Sequence, residues 1–178
     1  MIILIGASAS GKSQVCNYLI SHYGLKKFIT TTTRQKRVNE TNNIDYHFIS
    51  KDEFQKKIND SSFIEYVLYN GNYYGTEKKE IDHNKVLIVE PNGFKKFLSL
   101  KDNNIVSFYL YCDKSIREKR MISRKDNPID IKKRLDNDDE IFNINNIKGI
   151  NYIIDTSNKT VEETSEEIMN MYKERMKN

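Results

Sequence analysis

Cysteine is scarce in this sequence. Cys16 and Cys112 are the only two in 178 residues, too few for a disulfide framework. They fall in segments that read as helix and strand, where a thiol is usually buried, so a reducing, cytoplasmic setting is expected. Long apolar runs are missing too. Residues 1–5 are apolar but lack a basic lead and run straight into a glycine-containing loop, so Ala7-Ser8-Ala9 is not read as a signal-cleavage site. No run approaches the ~20 residues a membrane helix needs, and no membrane partner is expected. Nor does one sign of charge dominate. Lys and Arg number 29 against 25 Asp and Glu, a net charge of +4, which suits small anions better than a nucleic-acid surface.

What is present is a polar chain, 38% hydrophobic and 30% charged, whose apolar residues gather in short runs. Its length fits one domain with a core of its own. Strand-like runs recur at 2–5, 28–30, 86–89, 105–111 and 152–154. Segments of helical spacing lie at 12–22, 52–58, 94–100, 114–123, 130–142 and 160–173, the last with Val161, Ser165, Ile168 and Tyr172 on one face. The alternation predicts an α/β fold with a parallel sheet flanked by helices. Ser50 and Glu53 form a capping box ahead of Phe54 and Ile58. Around that helix, 46–49, 63–69 and 72–74 read as short antiparallel strands, with Asn70-Gly71 as the turn, making a small insert. The end of the chain after Met171 reads as a frayed, solvated helix end.

Gly6-Ala7-Ser8-Ala9-Ser10-Gly11-Lys12-Ser13 matches G-x-x-x-x-G-K-[ST], follows an apolar strand and opens a helix. Glycines let backbone amides turn inward on phosphates, the lysine reaches the β- and γ-phosphates, and the Ser13 hydroxyl is placed to ligate Mg²⁺ at a helix N-terminus that favours anions. A chance match in a chain of this length has odds on the order of one in a hundred before the strand and helix are required. An ATP-phosphate site is the reading.

From Thr30 the chain runs TTTTRQKRVNE, putting Arg34 and Arg37 close together among hydroxyls, where guanidinium forks can grip a dianionic phosphate. By itself such a pair is more often a solvated surface. With Asp45-Tyr46-His47-Phe48, FIEY at 63–66 and GNYYGT at 71–76 following in order, the chain resembles the guanylate kinase family over nearly its whole length, most specifically between Gly6 and Thr76.

That resemblance implies one domain over 1–178: a P-loop kinase core (1–30, 77–123 and 146–178), a mixed α/β GMP-binding insert near 31–76, and a short helical lid near 124–145. It implies transfer of the γ-phosphoryl group of ATP to GMP or dGMP with Mg²⁺. Arg34, Arg37, Tyr46 and Tyr74 would hold the GMP phosphate, and Thr30, Glu65, Thr76 and Glu90 would surround guanine. Guanine presents N1–H and its amino group side by side as donors, which suits an ionised carboxylate such as Glu65. Arg120 would touch ATP, and Arg124 and Arg134 would close over the transferring phosphoryl. Arg117, on the same helix face, has no counterpart and is read as surface.

The second half departs from the family pattern. Where two acids spaced by one residue precede Gln-Gly, this chain has Ile88-Val89-Glu90-Pro91-Asn92-Gly93, and the usual Asn-Asp after the last strand is Asp155-Thr156. A catalytically reduced interaction module, and a P-loop kinase for another nucleotide or a nucleic-acid end, therefore stay open as rival readings.

Overall fold

The computed structural model describes residues 1–38, 40–69 and 71–177. Strand β1 (Ile2–Ile5) is buried on both faces, as an uninterrupted aliphatic run in a parallel sheet should be. Its side chains alternate between two cores. Ile2 and Leu4 pack with Val15, Leu19, Phe108 and Ile168, whereas Ile3 and Ile5 pack with Phe28, Phe94, Phe97 and Tyr109. The first group brings in α1 (Lys12–Tyr23) and α6 (Val161–Arg175); the second brings in α3 (Pro91–Leu98).

The main sheet runs β2-β7-β1-β8-β9, with every ladder parallel; here β2 is Lys26–Lys27, β7 Lys85–Ile88, β8 Val106–Tyr111 and β9 Tyr152–Asp155. Parallel order places the loops after β1, β7 and β8 at one edge, where ligands of open α/β sheets bind. The expected strand at 28–30 is displaced. The ladder forms at the exposed edge pair Lys26–Lys27, closes with the Phe28 N–H on Val86 O at 3.0 Å, and then leaves the sheet. Helix α3 starts a turn earlier than its apolar spacing suggests, because Pro91 occupies its first turn, where the fixed φ and missing N–H cost nothing.

A second sheet, ordered β4-β3-β6-β5, contains β3 (Thr31–Thr32), β4 (His47–Phe48), β5 (Phe63–Tyr69) and β6 (Asn72–Glu77). Strand β6 is antiparallel to β5, as expected; it is also antiparallel to β3, a strand the sequence did not single out, and β4 pairs with β3 in parallel rather than antiparallel. The chain between β3 and β4 is a long excursion rather than a hairpin, so nothing local imposes the antiparallel sense. The Asn70-Gly71 turn falls partly outside the described residues; Gly71 has φ +74°. Helix α2 (Lys51–Asn59) starts at the Ser50–Glu53 capping box and lays Phe54 on Phe63 and Tyr73, ring centroids 4.3 and 5.1 Å away. A Cβ on Gly75 would come within 2.7–2.8 Å of the Phe63 and Phe54 rings, so only glycine fits under that stack.

One expectation is refined here and one corrected. The chain after Met171 is anchored at one point, since Tyr172 is buried and its hydroxyl donates to His83 O at 2.8 Å, while residues 173–177 are exposed, as expected. Arg117 is not a surface residue. It lies buried between α4 (Lys114–Ser123) and α5 (Pro128–Ile141), paired with Asp138 and Asp139 at 3.2 Å each. Cys16 and Cys112 are buried and unpaired, as expected.

Candidate active site

The loop after β1 is shaped by its glycines. A Cβ on Gly6 would lie 2.5 Å from Leu110 O and 2.8 Å from Ser10 Oγ. Ala9 (φ +60°) and Gly11 (φ +97°) turn the chain into α1, whose N-cap is Gly11. Ser10 N–H and Lys12 Nζ both donate to Ala7 O, at 3.2 and 2.7 Å, which holds the loop in its curl. Burial pulls the Lys12 ammonium down to about 8; Asp138 and Glu90 push it back up, and Arg117 lowers it further. Phosphate anions beside it would push it back up.

Arg120 straps the loop to the last strand. Its guanidinium donates to Ala9 O at 3.2 Å and to Thr156 O at 2.7 Å. Thr156 Oγ1 lies 2.9 Å from both Ser10 O and Tyr111 O, so the departure at Asp155-Thr156 puts a buried hydroxyl under the loop. Beside these residues opens a cavity of about 580 Å³, lined by loop residues 9–13, Arg120, Arg124, Lys159 and Thr160, large enough for a nucleotide. Ser13 stands exposed at its mouth.

A second cavity, about 470 Å³, lies between the loop and α5 and is lined by Ser8, Lys12, Glu90, Arg134, Asp138 and Phe142 among others. Glu90 thus stands beside Lys12. The two expected lid arginines meet at one carboxylate: Arg124 Nη2 is 2.9 Å and Arg134 Nη1 3.2 Å from Asp126 Oδ2.

The smaller sheet brings the acceptor-side residues together by register. Thr76 faces Glu65 across β6–β5, and Thr31 faces Gly75 across β3–β6, with Thr30 just before β3 at that end of the sheet. Thr76 donates to Glu65, whose carboxylate also lies against Gly93 at the start of α3. Burial raises the Glu65 pKa above the usual carboxylate value, opposed by Lys96 and the Thr76 hydroxyl. Further along the same face, Tyr46 and Tyr74 meet edge to face at 6.2 Å, and the Arg34 guanidinium lies 5.5 Å from the Tyr46 ring and donates to Tyr74. Glu40 holds this corner, bonding Arg34 Nη2 at 2.7 Å and the Arg37 N–H at 2.8 Å. Those bonds keep its carboxyl below the ordinary range. The Arg37 side chain is exposed.

Sequence reasoning missed Glu40, Asp126, Thr156 and the Arg117–Asp138 pair. Glu40 and Asp126 carried one local signal, an acid within three residues of an arginine expected to bind phosphate. Among the described residues no group of three or more His, Cys, Asp or Glu side chains could hold a metal by themselves, and no helix is long and apolar enough to cross a membrane.

A family model described as guanylate kinase matches residues 1–175. The guanylate kinase of Mycoplasma genitalium is 34% identical over 180 residues, spanning 94% of this chain and 72% of that one; the guanylate kinase of Campylobacter jejuni strain RM1221 is 34% identical over 147 residues, spanning 77% and 72%. Among solved structures, the guanylate kinase of Anaplasma phagocytophilum superposes with a TM-score of 0.63 at 24% identity, covering 97% of this chain and 84% of the other, a likeness of fold.

Proposed function

The chain belongs to the guanylate kinase family, and from that premise we propose how its own residues divide the work. The reaction is ATP + GMP → ADP + GDP. A GMP phosphate oxygen attacks the γ-phosphorus as the bond to ADP breaks. The attacking oxygen is already ionised near neutral pH, so no general base is needed, and the protein's task is alignment and charge neutralisation.

Residues 6–13 cradle the donor phosphates, with Lys12 on the β- and γ-oxygens and Arg120 shaping the nucleotide cavity. Arg34, Arg37, Tyr46 and Tyr74 take the GMP phosphate. Glu65 accepts from guanine N1–H and the amino group, with Thr30 and Thr76 toward O6. Arg124 and Arg134, released from Asp126, close on the transferring group. Glu90 faces the acceptor from the end of β7. In the same proposal the core is 1–30, 77–123 and 146–178, the insert about 31–76 and the lid about 124–145.

The donor set fits Mg²⁺. A single exposed hydroxyl, Ser13, at the mouth of a phosphate loop suits an ion that takes most of its ligands from phosphates and water, and no dedicated cage is needed. When bound, Mg²⁺ would supply charge neutralisation on the donor phosphates, with Ser13 as its protein ligand.

The Thr76–Glu65 pair supports the guanine assignment, because it sets a half-buried carboxylate and a hydroxyl side by side at the end of the sheet where Thr30 enters it. A coupled assay of ATP with GMP, dGMP, AMP, CMP and UMP tests it. Guanine acceptors should dominate kcat/KM, and equal turnover of AMP would remove the base-reading role. Absence of ATP turnover with every acceptor would leave the interaction module.

A further inference from the structure

Asp138 lies in the last turn of α5, more than nine-tenths buried, and no step above uses it. Its Oδ2 accepts from the Ser8 backbone N–H at 2.6 Å and from Arg117 Nη1 at 3.2 Å. Arg117 is equally buried; its Nε donates to Cys112 O and its Nη2 to Asp139 Oδ1, each at 3.2 Å. A carboxylate taken out of water needs hydrogen bonds to replace its hydration, and two are present. Contacts thus run unbroken from the end of β8 through α4 and α5 to the phosphate loop. Arg134 is one turn before Asp138 on α5, on the same helix face, and the two line the same cavity as Lys12. Whatever fixes Asp138 on Ser8 also fixes the base of Arg134 relative to the loop.

We propose that Asp138 is a positioning residue for phosphoryl transfer: held by Arg117, it fastens α5 across the mouth of the phosphate loop at Ser8 and so sets Arg134 over the transferring group. This rests on the role assigned above to Arg134. The opposing possibility is a plug, in which the carboxylate occupies a loop amide that the donor's phosphates need. The two differ in what removal does to nucleotide affinity.

The test compares Asp138→Ala, Asp138→Asn, Arg117→Met and the Arg117→Met/Asp138→Ala double variant in kcat, in KM for both substrates, and in the ADP Kd by calorimetry. Folding is checked by circular dichroism. Asp138→Ala should lower kcat about tenfold to a hundredfold, the cost of a misplaced catalytic group, with both KM values and the ADP Kd within about threefold. Arg117→Met should match it, the double variant should be no worse than either single one, and Asp138→Asn should recover part of the rate because its Oδ1 still accepts from Ser8. A folded Asp138→Ala protein with parental kcat overturns the proposal. So does one that binds ADP more tightly at undiminished kcat, and so do additive losses in the double variant. If Asp138→Ala does not fold, the Asn and Met variants decide, and parental kcat in both overturns it. Arg134→Ala, measured alongside, separates the two layers: if it leaves kcat intact the role of Arg134 fails, whereas a loss there without one at Asp138 refutes only the coupling.

Discussion

Replacing Glu65 by Gln changes one oxygen to an amide nitrogen and leaves the volume almost unchanged, so packing against Gly93 is preserved. The effect on guanine is large. A carboxylate accepts from N1–H and the amino group together; the amide accepts from one and turns its own N–H groups on the other. A bidentate base contact is worth about 1 to 3 kcal/mol, and the half-buried setting of Glu65 places it near the middle of that range. About 2 kcal/mol is roughly thirtyfold in KM for GMP, with kcat little changed because the base is gripped equally in ground and transition states. Acidity gives a second signature. The carboxyl titrates above the ordinary value, and only its ionised form accepts both donors, so KM for GMP should climb as pH falls, starting higher than an ordinary carboxylate would dictate. Folding responds with the opposite sign. The ionised carboxylate is less favourable folded than unfolded, so acid relieves a small penalty there, and a rising KM without a falling Tm locates the effect at the ligand. The phosphate of GMP titrates in the same region, and the Gln variant, which shares that ionisation, is the control. A coupled spectrophotometric assay from pH 5.5 to 8 reads both. An unchanged KM for GMP, or an equal loss for AMP, would refute the reasoning.

Three further outcomes are expected. Lys12→Ala should lose several orders of magnitude in turnover while its circular dichroism stays native, since the lysine meets charge on the transferring group; near-normal transfer would sink that role. Glu90→Ala should raise KM for GMP and leave the Mg²⁺ titration of kcat in place, whereas a kcat loss rescued by excess Mg²⁺ would move Glu90 to the metal. Gly75→Ala forces a methyl group to within 2.7 Å of the Phe63 ring and should cost about 1 to 3 kcal/mol in urea unfolding, with weaker GMP binding; an unchanged midpoint would mean the aromatic stack yields freely.

The architecture was legible wherever local pattern and burial agree. The aliphatic run at Ile2–Ile5, the helix at Lys114–Ser123 and the long strand at Phe63–Tyr69 came out with their ends in place, because each is a run of consistent pattern bounded by turn chemistry. The phosphate loop was legible because its string sits between a strand and a helix. Chemistry depending on contacts distant in sequence was not. Arg117 looks like one more charge on a basic helix until α5 folds back and presents Asp138, twenty-one residues on. Tyr172 shares a helix face with Val161 and Ile168, but nothing local shows that its hydroxyl reaches His83, eighty-nine residues away. The direction of the two-residue strand His47–Phe48 is set by its neighbour rather than by a turn.

The aromatic stack of Phe54, Phe63 and Tyr73 belongs to the smaller sheet and its helix, and none of the three is part of the two cores around β1, although Ile64 of the same sheet packs on one of them. A unit with its own core can melt by itself, at a free energy below that of the whole chain. Warming should therefore disable this enzyme in order. The insert would open first and release the acceptor, its amides exchanging with solvent early, while the phosphate loop, seated on β1 and propped by Thr156, still holds a donor nucleotide it has no partner to react with.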